Sequence, residues 1–121
     1  MITLIIDATK DEIFLQIINQ NKSYTNECSN CKKNFDKLGI IIFNFLRSNN
    51  ISIDNISNIF VNKGPGKFSS IRSAITTAKG ICLSKNIRYF EFSGHQFQKK
   101  NYNKILDIFE KEVLIKKNKN I

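Results

Sequence analysis

Gly64 and Gly66 flank Pro65 directly before Lys67, so a flexible loop and a cation coincide in four residues. Where such a loop joins a strand to a helix, backbone N–H groups and the helix N-terminus can receive an anion. Lys67 after Gly66 suggests a phosphate loop, but that motif also needs an earlier Gly and a following Ser or Thr. Val61 and Phe68 hold those positions instead. A dinucleotide fingerprint fails as well, because Ser69 stands where its third Gly belongs. What remains is a tight turn that sets the angle of the next helix. Arg72, one of three arginines, falls on the first turn of that helix. It could reach an anion, clamp a carboxylate bidentately, or pair with a nearby acid.

Asp7 ends an apolar run and faces the turn Ala8-Thr9-Lys10. Sugar-kinase and actin-like ATPases place a metal-linked aspartate at such a point, yet they follow it with Gly so that backbone can approach phosphate. No Gly follows here, and a structural Asp capping its own turn is the expectation. Cys28-Ser29-Asn30-Cys31 has the spacing of a zinc or redox pair, but no second pair follows to complete four ligands. The third cysteine is Cys82, and the odd number points to free thiols. His95 is the sole histidine, and Ser69, Ser70, Thr76 and Thr77 have no local base partner. No catalytic residue, metal ligand or cofactor is assigned.

These residues depend on elements that periodicity reveals. Residues 1–7, 12–18 and 23–27 read as three strands of an antiparallel meander, the first a buried run. Residues 31–48 read as a helix, with Phe35, Leu38, Ile42, Phe45 and Leu46 at helical spacing. Ile40, Ile41 and Phe43 lie off that stripe, and a helix apolar nearly all round needs cover on more than one side. A helical turn at 54–56, a strand at 58–62, a helix at 69–84 and a strand at 87–92 follow. The last helix carries Ile71, Ala74, Ile75, Ala78 and Cys82 on one stripe. Residues 102–115 fit a final amphipathic helix before a Lys/Asn-rich end. The order is β-β-β-α-β-α-β, an α/β mixed sheet with a C-terminal helix.

Length and composition bound the rest. At 121 residues with 41% hydrophobic content, one domain with a real core is expected. No apolar run approaches the roughly 18 residues needed to cross a bilayer, and the start lacks a signal-peptide pattern, so a cytoplasmic protein is expected. The formal charge of +9 suits an acidic partner such as RNA. The excess is nearly all Lys beside abundant Ile and Asn, so general basicity is the competing explanation.

The run Gly64-Pro65-Gly66-Lys67-Phe68-Ser69-Ser70-Ile71-Arg72, continued by Ala74, Ala78, Lys79, Gly80 and Leu83, resembles the Gly-Pro-Gly-Ser-Phe-Thr-Gly-Leu-Arg…Ala-Lys-Gly-Leu signature of the TsaB/YeaZ family. Ile6-Asp7-Ala8-Thr9 is similar to that family's Ile-Asp-Thr-Ser/Ala-Thr start, and Glu91-Phe92-Ser93 stands where its Gly-Val-Ser ends a strand. The resemblance covers about residues 1–98. It implies an actin-like (ASKHA, ribonuclease-H-like) lobe over residues 1–98; a C-terminal helix and basic tail at 99–121 are expected to follow, with the family's second lobe absent.

The resemblance further implies a non-catalytic subunit in tRNA threonylcarbamoyladenosine synthesis. Its implied partners are a TsaD-type catalytic subunit, a TsaE-type ATPase, a second copy in a homodimer, and tRNA indirectly, with no membrane. The implied partner interface is Phe35, Leu38, Ile42 and Phe45 on one helix with Ile71, Ala74, Ile75 and Ala78 on the other; Gly64, Pro65, Gly66, Phe68 and Arg72 form the signature loop. An older family label, inactive metalloprotease homologue, fits a chain whose single His cannot copy the paired-His metal site of the catalytic relative. Lys67 and Ser70 depart from the family's Ser and Gly, which bears on nucleotide and ATPase contacts. The rivals to a scaffold subunit are a basic RNA-binding module on the same fold and, behind it, a small ATP-dependent enzyme.

Overall fold

The computed structural model describes residues 1–94, 102, 103, 105 and 106. Strand β1 (Ile2–Asp7) pairs antiparallel with β2 (Glu12–Asn19), which pairs antiparallel with β3 (Lys22–Ser29). Gln20 and Asn21 make the hairpin turn between β2 and β3, and Gln20 takes a positive φ of 57°. Two helices follow, α1 (Lys32–Phe35) and α2 (Leu38–Ser48), then a 3-10 turn at Ile53–Asn55. Strand β4 (Ile56–Asn62) returns parallel to β1, α3 (Phe68–Lys85) crosses over, and β5 (Arg88–Phe92) lies parallel to β4. The sheet order is β3-β2-β1-β4-β5, antiparallel on one side of β1 and parallel on the other.

The alternation of β1 divides two cores. Leu4 and Ile6 face the helices with Ile13, Leu15, Ile17, Ile59 and Val61 of the neighbouring strands. Against them pack Leu38, Ile42, Phe45 and Leu46 of α2 and Ala74, Ala78 and Cys82 of α3. Ile5 faces the other side with Phe14, Phe60 and Phe92, covered by Tyr102 and Ile105. The Tyr102 ring lies 5.1 Å from Phe92 edge-on and 5.8 Å from Phe14. β1 is central and buried on both faces, and Leu4-Ile5-Ile6 supplies the continuous apolar stretch that such a position favours.

The helix ends repeat one device. Asn50 and Asn86 both take φ 57°, the left-handed conformation an Asn side chain tolerates. The next residues, Ile51 and Ile87, then donate their N–H groups to Leu46 and Cys82.

Two expectations need correction. The single helix over 31–48 is two helices, because the ladder tightens at Asp36 and Lys37. Lys37 N–H donates to Asn34 instead of continuing the helical pattern, and the Phe35 carbonyl accepts from Ser73 Oγ at 2.5 Å. The stripe expected to meet a partner is the stripe that meets this chain's own sheet. Leu38, Ile42, Phe45, Ile71, Ala74 and Ala78 are all buried here, while Phe35 and Ile75 are half-buried at its margin. A sheet with one apolar face exposed would draw the most apolar stripe of each helix onto itself. The expected C-terminal helix lies largely outside the described residues, as does His95.

Ile42 and Ile40 separate core from surface. Ile42→Ala should cost about 2–5 kcal/mol, the range for a fully buried large-to-small change. Ile40→Ala, at a 61% exposed position, should stay within about 0.5 kcal/mol of the parent. Urea denaturation of the two variants checks both.

Candidate functional site

The C-terminal ends of β1 and β4 and the glycine loop converge on one polar knot. Asp7 is carried into it by β1, and its Oδ1 accepts from Thr9 N–H at 2.9 Å and from Thr9 Oγ1 at 2.6 Å. Its Oδ2 accepts from the Tyr102 hydroxyl. Both carboxylate oxygens are therefore engaged, and Asp7 caps its turn as expected. Burial, then the hydrogen bond to Asp7, holds the Tyr102 phenol well above its ordinary ionisation range.

Gly66 rests directly on the same turn. A Cβ built there would lie 2.3 Å from the Thr9 carbonyl oxygen, so glycine alone permits the approach. Lys67 N–H donates to that carbonyl at 3.0 Å. Gly64 takes φ +116° and precedes a cis peptide bond to Pro65. Its N–H donates to Asn62 Oδ1 at 3.0 Å, and its carbonyl accepts from Gly94 N–H at 3.0 Å.

Ser70 and Asn30 close the knot. Ser70 Oγ donates to the Ala8 carbonyl at 2.7 Å. Asn30 Nδ2 reaches the Ala8 carbonyl, the Lys10 carbonyl and Ser70 Oγ at 2.9, 2.7 and 3.0 Å. The Ser70 hydroxyl thus fastens α3 to β1, which explains why a side chain is accommodated where the family signature has Gly. The loop amides of Gly64 and Lys67 are bonded within the protein, so these two donors fasten the loop as a bracket.

Outside the knot the loop is open. Phe68 begins α3 and is 71% exposed, with the Arg72 guanidinium 5.4 Å from its ring centroid. Arg72 therefore uses the alternative that sequence reasoning omitted, an aromatic face. Lys67 Nζ lies 3.1 Å from Asp11, both side chains well exposed.

The cysteines are free. Cys31 is exposed, Cys28 is half-buried beside a groove of about 430 Å³ between β3 and α2, and Cys82 is buried under α3. Burial, with help from Cys31 and Glu12, pushes the Cys28 thiol up, and burial alone pushes Cys82 up to about 11. Among the described residues no cluster of three His, Cys, Asp or Glu could hold a metal ion.

Sequence reasoning found Asp7, the glycine loop and Arg72. It missed Asn30 and Tyr102, whose partners lie 40 and 95 residues away in the chain.

Comparison with known proteins bears on this geometry. Residues 29–93 match the model of the family described as TsaD, tRNA N6-adenosine threonylcarbamoyltransferase. The tRNA threonylcarbamoyladenosine biosynthesis protein TsaB of Buchnera aphidicola subsp. Baizongia pistaciae (strain Bp) is 31% identical over 85 residues, 69% of this chain and 38% of that protein. YeaZ from Pseudomonas aeruginosa aligns with a TM-score of 0.68 at 15% identity, over 76% of this chain and 42% of that one. RuvC of T. thermophilus, solved in complex with a Holliday junction substrate, gives 0.56 at 9% identity, over 79% of this chain and 66% of that one. The two structures speak for the fold, which is ribonuclease-H-like and actin-like. The chain spans less than half the length of the curated relative it matches.

Two measurements probe the bracket and the thiols. Gly66→Ala should destabilise by more than about 1 kcal/mol, since the new methyl must displace Thr9. Gly80→Ala should instead add up to about 1 kcal/mol, because nothing lies within 4 Å of its added methyl. Thermal melts distinguish the two. Alkylation of the native protein at pH 8, followed by mass spectrometry, should label Cys31 first and leave Cys82 intact, since the Cys82 thiolate forms only toward pH 11.

Proposed function

This chain belongs to the TsaB/YeaZ family, within the wider TsaD family whose model it matches, and from that premise we propose that it is a non-catalytic subunit supporting a TsaD-type catalytic subunit in tRNA threonylcarbamoyladenosine synthesis. The observation that carries the partner role is the outer face of α2. Ile40 is 61% and Phe43 41% exposed, one turn apart on the side turned away from the sheet. Single exposed apolar residues are ordinary; an Ile and a Phe stacked at helical spacing form a patch that burial would stabilise. Leu83 of α3 is a further exposed apolar side chain, and Gly80 presents bare backbone to a close neighbour.

The partner surface is thus proposed on Ile40, Phe43 and Leu83, the faces opposite the core stripe. A second copy of the chain competes for the same surface, and a TsaE-type ATPase would bind elsewhere on the assembly. The absence of catalysis in this subunit is supported by Asp7, whose two oxygens hold Thr9 and Tyr102. On this reading residues 1–98 act as the first lobe, the protein works in the cytoplasm, and tRNA is met through the partner. No helix among the described residues is long and apolar enough to cross a membrane.

Co-purification tests the proposal. The wild-type chain should hold the TsaD-type subunit at micromolar concentration. The double variant Ile40→Asp with Phe43→Asp should lose it while keeping its circular dichroism and melting temperature. Association that survives the double variant, or that never forms, overturns the reading. Ile42→Asp is unsuitable here, because a buried carboxylate would unfold the chain first.

A further inference from the structure

Phe68 poses a separate problem from the helix faces. It is a large aromatic side chain, 71% exposed, at the first residue of α3, directly after the loop that the polar knot holds. Its neighbours are not apolar. Arg72, one turn along α3, places its guanidinium 5.4 Å from the ring centroid. The Lys67 N–H bond to the Thr9 carbonyl ties Lys67 to the residue before Lys10, and Lys63 immediately precedes the loop. All four cations are exposed. The acid facing them is Asp11, which meets Lys67 at 3.1 Å through a carboxylate that is itself 98% exposed. An ion pair so exposed is weak and yields to a better anion.

An exposed aromatic ring with a guanidinium against it and lysines in the adjoining chain does not suit a protein hot spot, which sits recessed in a well-packed pocket with charges at its rim. It suits a nucleic-acid strand. There a protein ring stacks on an unpaired base, while Lys and Arg follow the phosphates on either side. The guanidinium over Phe68 favours this further, since it orders the ring on one side and leaves most of it open.

We propose that Phe68, backed by Arg72 and flanked by Lys10, Lys63 and Lys67, is a stacking platform for an unpaired base of single-stranded RNA. The chain then touches RNA itself, beyond any contact made through a protein partner. The site stands apart from the Ile40 and Phe43 surface and does not depend on the scaffold reading. It also gives the positive charge a place to act.

Fluorescence anisotropy with a short mixed-sequence single-stranded RNA, and with a duplex of equal length, tests the proposal on the full chain. The single strand should bind more tightly than the duplex. Phe68→Ala should weaken it about tenfold, in line with the loss of one stacked base, and Phe68→Trp should restore it. The salt slope should be unchanged in Phe68→Ala and shallower in Lys10→Ala with Lys63→Ala, each phosphate contact adding about 0.7 to the slope. Because Phe68 is exposed, the variants should melt with the wild type. Wild-type affinity in Phe68→Ala, absence of binding at low salt, or equal binding of the duplex overturns the platform. So does a Phe68→Ala variant that keeps its RNA affinity and instead releases the TsaD-type subunit. Loss of that subunit in the Ile40 and Phe43 double variant, with RNA binding intact, concerns only the scaffold reading.

Discussion

Gly66 and Thr9 approach so closely that no side chain fits between them, and the rest of the molecule is arranged around that contact. A methyl group on Gly66 would sit 2.3 Å from the Thr9 carbonyl oxygen. That oxygen receives Lys67 N–H, so the last residue before α3 is tied to the turn after β1. Ser70 adds a second tie one turn along, at the Ala8 carbonyl, and Asn30 a third from beyond β3. Two segments distant in sequence, the start of α3 and Asn30, are therefore fixed to one turn. Once the start of α3 is anchored over β1, its Ala74, Ala78 and Cys82 stripe must descend onto the sheet. Small residues are needed there because the helix lies close to the strands. The opposite face of α3 is left outward by the same constraint.

Much of this was legible in the sequence, and the failures share a cause. The strands and α3 could be placed within a few residues, because period-2 and period-3.6 patterns reflect burial directly. The break between α1 and α2 could not, since it depends on Ser73, a residue of another helix, taking the Phe35 carbonyl. The apolar stripe on Leu38, Ile42 and Phe45 was located correctly and given the wrong partner. A periodic stripe announces that a face will be buried; it does not say against what. The residues off the stripe, Ile40 and Phe43, carried the information about surface, because they break the pattern that the core demands. Asn30 and Tyr102 matter through bonds spanning 40 and 95 residues, a separation no local pattern encodes.

The second face of the sheet follows a different rule. Ile5, Phe14, Phe60 and Phe92 make it apolar, yet the fully or nearly fully buried Thr3, Gln16 and Asn58 lie among the same strands. Gln16 Nε2 donates to Ser23 Oγ at 2.7 Å and to Asn103 Oδ1 at 3.0 Å, joining the hairpin to the segment that covers this face. Its Oε1 and the Asn58 Oδ1 are buried with no hydrogen-bond partner among the described residues. Each such atom costs about 1–3 kcal/mol. The polar residues nonetheless discriminate between registers. A slip of one residue in β1 would turn Thr3 and Asp7 onto the helix side, where Leu4 and Ile6 now pack, and bury two more polar groups there. The stability forgone by polar residues on this face is offset by the single arrangement of strands they enforce.

That enforcement reaches the start of α3. A ring on a mobile loop would lose conformational freedom on meeting a ligand, at a cost of about 0.5–1.5 kcal/mol per ordered side chain. Phe68 has already lost much of it: the backbone on its N-terminal side is bonded to Thr9, the turn behind it is bonded through Ser70, and its ring is paired with Arg72. The N–H groups of Gly64 and Lys67 are engaged internally and are not offered to a bound anion. The loop's contribution is geometric. By using its polar groups to fasten itself, the loop presents an aromatic ring and a set of cations in a fixed position. A phosphate cradle of the same residues would need those donors free, and the loop could not then be held. The two uses exclude each other, and the bonds to Asn62 and Thr9 decide for the rigid platform.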